Sequence, residues 1–188
     1  MRPYLTTLAA FLSAACATGE RDAASDTSRA DTAAPSSSAA SSVSTTVRDA
    51  SGRELGTLTL GDTSGGIFVS GRLKGLAPGE HGMHIHTMGR CEPPGFESAG
   101  THWNPTNRQH GSQNAAGPHL GDMPNVTVGA DSQAVVQAVT AGGSLRGTDM
   151  LLDADGAAVI IHATSDDYRT DPAGNSGDRM ACGVLTGP

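Results

Sequence analysis

The chain has 188 residues, 37% of them hydrophobic and 3% aromatic, with 25 glycines, which is material for one ordinary core and too little for two once a low-complexity beginning is set aside. Abundant glycine and few large rings suit short segments joined by tight turns, so the class leans to all-β rather than a helical bundle. A net charge of −7, with no Lys/Arg-rich tract, excludes nucleic acid as a partner, because gripping phosphate takes a surplus of cations.

The chain opens on what reads as an address. Arg2 gives a short positive region, and Tyr4 to Ala15 is an apolar stretch too short to cross a bilayer as a helix, closing on the small residues Ser13, Ala14 and Ala15. That is the pattern of an export signal over residues 1–16. Cys16 follows directly and resembles the cysteine that bacterial lipoproteins acylate. Ser13 stands where that motif usually has leucine, with Leu12 one place earlier, so a plain secretory signal cut nearby is the alternative. Residues 17–46 are almost all Ala, Ser, Thr and Asp, with no apolar period to offset the entropy of ordering a backbone. They read as a disordered tether, which fits a lipid at Cys16 holding a domain of residues 47–188 to a membrane of the cell envelope or periplasm. Setting Cys16 aside leaves Cys91 and Cys182, an even pair in a compartment where thiols oxidise and a candidate disulfide between a mid-chain loop and the C-terminal end.

Beyond the tether, short runs of alternating polarity recur. Ile67, Val69, Gly71 and Leu73 fall on one face of an extended segment, with Phe68, Ser70, Arg72 and Lys74 on the other. Further strands are expected at Glu54–Leu60, Glu80–Thr87, Ala134–Val139, Ala157–Ala163 and Cys182–Thr186, punctuated by turns at Ser51-Gly52, Ala77-Pro78-Gly79 and Asp155-Gly156. Serial short strands without a helical period point to an antiparallel sandwich or barrel. Two long segments, Met88–Pro124 and Ser165–Met180, break the rhythm, and loops of that length in a compact domain are usually functional.

All seven histidines lie between His81 and His162. His84 and His86 stand two apart on an expected strand, so both project from one face. By itself such a pair is more often polar surface than a metal site. His102, His110, His119 and Asp122 fall within one Gly/Pro-rich loop, and three imidazoles with a carboxylate make a closed four-ligand set for zinc. His162 ends the apolar run Ala157-Ala-Val-Ile-Ile, where a core histidine is the bland reading. Joined to His84, His86 and one more imidazole, it gives a nitrogen-rich set that suits copper.

Five stretches, Gly82-Met-His-Ile-His, Ser98-Ala-Gly-Thr-His-Trp-Asn-Pro, His119-Leu-Gly-Asp, Val159-Ile-Ile-His and Gly174-Asn-Ser-Gly-Asp-Arg-Met-Ala-Cys-Gly-Val, resemble in order the signature segments of copper/zinc superoxide dismutases of the bacterial, exported type. The resemblance runs from about Thr45 to Gly187. It implies an eight-stranded antiparallel Greek-key β-barrel, a closed immunoglobulin-like sandwich with two long functional loops. It also implies one copper and one zinc per subunit, copper on His84, His86, His102 and His162, and zinc on His102, His110, His119 and Asp122. His102 would then bridge the ions and take part in catalysis, and Arg179 would be the catalytic arginine that guides the superoxide anion. Asp166 matches the carboxylate linking a copper histidine to a zinc histidine, and Cys91 and Cys182 match the disulfide within the subunit. His81 belongs to neither ligand set and is assigned a structural hydrogen-bonding role.

Two departures stand out. The stretch Glu92–Thr101 is longer than the common eukaryotic loop, which leaves both a monomer and a homodimer open. The loop ahead of Arg179 lacks the lysines of many eukaryotic members, so steering of the anion is weaker or differently placed. A non-catalytic copper or zinc store is the main alternative, and the retained ligands and arginine weigh against it. An adhesion sandwich leaves the histidines unexplained.

Overall fold

The computed structural model describes residues 42–147 and 149–187; the expected export signal, Cys16 and residues 17–41 of the expected tether lie outside the described residues. Nine strands are present among the described residues: β1 Ser42–Asp49, β2 Glu54–Thr63, β3 Gly66–Lys74, β4 Gly79–His81, β5 Met83–His86, β6 Val126–Val128, β7 Gln133–Val139, β8 Ala157–His162 and β9 Arg179–Leu185, with one turn of 3-10 helix at Glu97–Ala99. Seven of them form an antiparallel sheet in the order β5-β8-β9-β1-β2-β3-β7, while β4 and β6 pair as a short ribbon. The expected all-β class holds, and the sheet curls around one core that runs from Val47 on β1 to Leu185 on β9.

Strand β1 begins at Ser42, so residues 42–46, which the sequence places in the tether, belong to the fold. Its inward side is Thr45 and Val47, both buried, with Val43 packed against the core. A strand that buries a threonine between Ser44 and Thr46 has almost no apolar alternation to read. On β3, Ile67, Val69 and Leu73 face inward as their spacing predicts. The expected strand at Glu80–Thr87 is split in two at Gly82, which is why nine strands appear where eight were expected. The Gly82 N–H donates to the Thr164 carbonyl, and its own carbonyl accepts from the His162 N–H. Before this seam the chain pairs with β6, and after it with β8.

Strand β8 is buried on both faces, which explains its unbroken apolar run. Ala157, Val159 and Ile161 join the main core, whereas Ala158 and Ile160 form a second small cluster with Phe96, Ala99 and Cys182. That outer cluster is roofed by the loop after β5. A third long connection, residues 140–156, sends Leu145, Leu151 and Leu152 back into the main core, so it serves packing where the other two loops carry expected site residues.

The seam is also a tight point between barrel and site. A Cβ on Gly82 would lie 2.8 Å from the Ser176 Cβ and 3.4 Å from both the Asp166 Cβ and the His84 Cε1. Gly82→Ala should therefore destabilise the metal-free domain by about 1–3 kcal/mol, the cost of forced overpacking. Urea unfolding followed by tryptophan fluorescence checks this, and an unchanged midpoint would contradict it.

Candidate metal centre

Alternation along two strands sets the first part of the site. On β5, Met83 and Ile85 enter the main core, so His84 and His86 project from the opposite face. They lie across from Ile160 and Ala158 of β8. Alternation along β8 puts its last residue, His162, on that same face as Ala158 and Ile160. The first long loop runs back along the free edge of β5, pairing His86 with His102 and His84 with Asp122. Its N–H groups and carbonyls at Trp103 and Gly121 close the Ile85 backbone at 2.8 and 2.9 Å, so the loop is pinned like an added strand.

Two clusters result. In the first, one ring nitrogen from each of His84, His86, His102 and His162 lies within 4.8 Å of every other. His84 Nδ1, His86 Nε2, His102 Nε2 and His162 Nε2 are buried and have no hydrogen-bond partner among the described residues. The opposite nitrogen of every ring is engaged. His84 Nε2 donates to Asp166 Oδ2 at 2.7 Å, His86 Nδ1 to the Gly100 carbonyl at 2.9 Å, His102 Nδ1 to Asp122 Oδ1 at 2.9 Å and His162 Nδ1 to the Gly177 carbonyl at 3.1 Å. Those bonds place the N–H on the outer nitrogen and turn four lone pairs inward.

The second cluster gathers on Asp122. Its Oδ1 lies 2.9, 3.0 and 3.3 Å from the Nδ1 atoms of His102, His110 and His119, and the two Nδ1 atoms of His102 and His119 are 3.4 Å apart. Four donors around a tetrahedral zinc with bonds of about 2.0 Å sit about 3.3 Å from one another, so the spacing fits that ion. His84 also comes within 4.8 Å of His102, His110 and Asp122. Its Nε2 is given to Asp166 and its Nδ1 faces the first cluster, so His119 is the better fourth member. Asp122 Oδ2 accepts from the N–H groups of Gly111 and His119 at 2.9 and 3.0 Å, which fixes the carboxylate. His102 belongs to both clusters, with Nδ1 in one and Nε2 in the other.

Asp166 joins them a second time. Its Oδ2 accepts from His84 and its Oδ1 from His110 Nε2 at 3.0 Å. A Cβ on Gly174 would collide with Asp166 Oδ1 and His110 Nε2, so this position, at φ +63°, accepts nothing larger than glycine. His81 stands apart from both clusters, its ring held between the carbonyls of His162 and Ala77 at 2.8 and 2.9 Å.

Arg179 opens β9 rather than ending the preceding loop, and it pairs with His162. The alternative of a salt bridge to Asp178 is not the contact it makes. Nη1 donates to the Phe96 carbonyl and Nη2 to the Gly100 carbonyl, both at 2.8 Å. The Gly100 oxygen therefore serves His86 and Arg179 together. The segment carrying these carbonyls is stapled to β9 by the Cys91–Cys182 disulfide, whose Cα atoms are 5.7 Å apart. Backbone carbonyls at Phe96, Gly100 and Gly177 carry no sequence signal, so this layer of the site could not be foreseen.

Burial holds the first cluster neutral. It pushes His84 down to about 3, against a smaller opposing effect of Asp166, and His162 down to about 4. His86 and His102 are lowered for the same reason. His110 goes the other way: burial opposes its charge, yet its bonds to Asp122 and Asp166 outweigh that and raise it to about 9. Burial likewise opposes the charge on Asp122 and Asp166, but histidine contacts hold both carboxyls well below the ordinary range.

An antiparallel barrel with two adjacent histidine clusters sharing one ring defines a protein built for a pair of metal ions. Residues 55–185 match the family described as copper/zinc superoxide dismutase (SODC), and the chain belongs to that family. It is 41% identical over 137 residues to the copper/zinc superoxide dismutase 2 of Aquifex aeolicus, covering 71% of this chain and 80% of that one. Among solved structures it is similar to a double mutant of a superoxide dismutase-like protein from Bacillus subtilis, at 42% identity and a TM-score of 0.73 over 77% of this chain and 97% of that one. It is also similar to the Cu/Zn superoxide dismutase of Brucella abortus, at 27% identity and a TM-score of 0.63 over 77% of this chain and 99% of that one. Copper and zinc are the ions the two clusters suit.

The titration directions give a pH profile for the metal-free protein. An imidazole lowered from 6.5 to about 3 or 4 leaves the unfolded chain binding more protons as pH falls, so stability drops from pH 6.5 towards 4. The raised His110 contributes stability present below 6.5 and lost as pH climbs through about 9. The melting temperature should therefore peak near pH 6.5 and fall on both sides, more steeply on the acid side where several imidazoles act together. A calorimetric series from pH 4 to 9.5 with a chelator present tests this, and a flat acid limb would refute it.

Proposed function

We propose that this chain dismutates superoxide to oxygen and hydrogen peroxide, with copper on His84, His86, His102 and His162 and zinc on His102, His110, His119 and Asp122. One observation carries the reading: four buried imidazole nitrogens converge without a hydrogen-bond partner. Leaving such groups unsatisfied costs on the order of 1–3 kcal/mol each, and a shared cation is the partner that satisfies all four. Copper held on those four rings would supply the one-electron redox change by which two superoxides and two protons become one oxygen and one hydrogen peroxide.

The chain's own groups do the rest. The outer hydrogen bonds hold each ring in the tautomer that offers its lone pair inward. His102, fixed through Nδ1 in the second cluster, presents Nε2 to the first and can hold a proton there when that nitrogen is not engaged. Arg179 fixes a positive charge beside His86 and His162, close enough to work against protonation of both rings. It also lines an open cleft with Pro94, Gly95, Glu97, Gly177 and Asp178. A small anion entering that cleft meets the guanidinium, which supplies attraction and orientation.

We further propose that the domain works outside the cytoplasm, carried there by residues 1–16 and held by a lipid on Cys16. The apolar stretch ending in Ser13-Ala-Ala ahead of Cys16 supports this, as does a disulfide in the folded domain. Mass spectrometry of the mature N-terminus should find an acylated Cys16; an unmodified Ala17 or Thr18 there would refute the anchor.

Metal analysis joined to a superoxide-decay assay tests the activity. Wild type should carry one copper and one zinc and clear superoxide rapidly, while His162→Ala should lose copper and at least a hundredfold in rate, about the loss that removal of one key group brings. Arg179→Ala should keep both metals and lose on the order of tenfold in kcat/KM. Metal-loaded wild type without turnover would mark a copper or zinc store instead.

A further inference from the structure

We infer that Asn125 and Tyr168 are positioning residues for both metal sites, acting through Asp166; the inference rests on the two-metal reading above. Asp166 is the lever. One carboxylate oxygen takes the N–H of His84 and the other that of His110, so any displacement of Asp166 turns one ring in each cluster. Yet Asp166 sits in the loop between β8 and β9, outside every strand, and something must fix it.

A single amide does so. Asn125 Oδ1 accepts from the Asp166 N–H at 2.8 Å, and Asn125 Nδ2 donates to the Asp166 carbonyl at 3.0 Å. Both backbone polar groups of Asp166 are thus closed by one side chain, as a neighbouring strand would close them. Asn125 immediately precedes β6, so the amide is anchored to the barrel.

Tyr168 completes a ring of four hydrogen bonds. Its N–H donates to Asp166 Oδ1 at 2.6 Å, and its phenol oxygen accepts from the Asn125 N–H at 2.8 Å. Its backbone is left-handed at φ +62°, a strained conformation for an aromatic residue that aims its N–H at the carboxylate while its side chain returns to Asn125. The tyrosine also lines a cavity of about 250 Å³ with Met123, Pro124 and Val139. A phenylalanine would fill that wall equally well, so the hydroxyl is there for Asn125.

The test uses metal-free wild type, Tyr168→Phe and Asn125→Ala, titrated separately with zinc and with copper in competition with a chelator. Cobalt placed in the second cluster reports its geometry by visible absorption. Asn125→Ala should weaken both metals by about ten- to a hundredfold, and Tyr168→Phe by about fivefold, the worth of one hydrogen bond, with the cobalt bands shifted in both variants. A merely structural role would lower the melting temperature and leave the bands where they are in wild type. Wild-type affinities in the variants, or a loss confined to one metal, would overturn the inference. Should Asn125→Ala fail to fold, Tyr168→Phe decides alone by the same two criteria. Wild type that binds neither metal would instead sink the two-metal reading.

Discussion

The structure depends on burying imidazoles that must stay neutral. A histidine in water is free to turn and to take a proton; buried between the barrel wall and its loops, His84, His86, His102 and His162 can do neither. Burial disfavours the charge, and a hydrogen bond to the outer nitrogen decides which atom keeps its lone pair. The second cluster inverts that logic. There Asp122 and Asp166 bring negative charge to His110 and outweigh its burial, so that in the absence of metal a proton occupies the place a cation would take. Two neighbouring sites that share His102 are thus prepared by opposite electrostatics, one by exclusion of charge and the other by its concentration.

Holding these rings demands more than a sheet. Strands β5 and β8 can offer three of the histidines on one face, but the remaining donors and all the outer hydrogen-bond acceptors come from loops. Each loop is therefore tied to the barrel at a point close to the chemistry. The first runs along the edge of β5 through Trp103 and Gly121, and its early part is fixed to β9 by the Cys91–Cys182 disulfide. The second is tied through Asp166 to one ring of each cluster. Loops so constrained can carry backbone carbonyls as functional groups, as Gly100 does for His86 and Arg179.

The parts of this arrangement that the sequence made legible are those with side-chain chemistry or a period. Histidines at spacings of two, a loop holding three more with an aspartate, and alternation on β3 all point where the structure goes. The parts that escaped are of a different physical kind. β1 hides because its buried Thr45 is polar by composition and apolar only by packing. The division at Gly82 comes from tertiary hydrogen bonds to Thr164 and His162, which no local pattern announces. Arg179 seemed a loop residue because β9 starts opposite a register shift at His162. Asn125 and Tyr168 look like ordinary loop polarity until the Asp166 backbone is placed between them.

Charge supplies the last constraint. The protein is acidic overall, with a net charge of −7, and its substrate by the proposed reading is an anion, so the long-range field opposes approach. At an ionic strength near 0.15 M that field is screened beyond about 8 Å, which leaves the matter to charges at the cleft itself. There Arg179 stands against Glu97 and Asp178. Burial lowers the guanidinium from its usual range while Glu97 works to raise it, yet at that level it keeps its proton at any physiological pH. The two carboxylates face solvent, where water weakens them, whereas the arginine is half-buried and fixed by two carbonyls. A charge held rigidly in a less polar setting acts more strongly at short range than one that swings in water. Local attraction therefore prevails over general repulsion within the last few ångströms, and on the proposed reading the loop stapled by the disulfide, which orients that arginine, belongs to the catalytic apparatus as much as the histidines do.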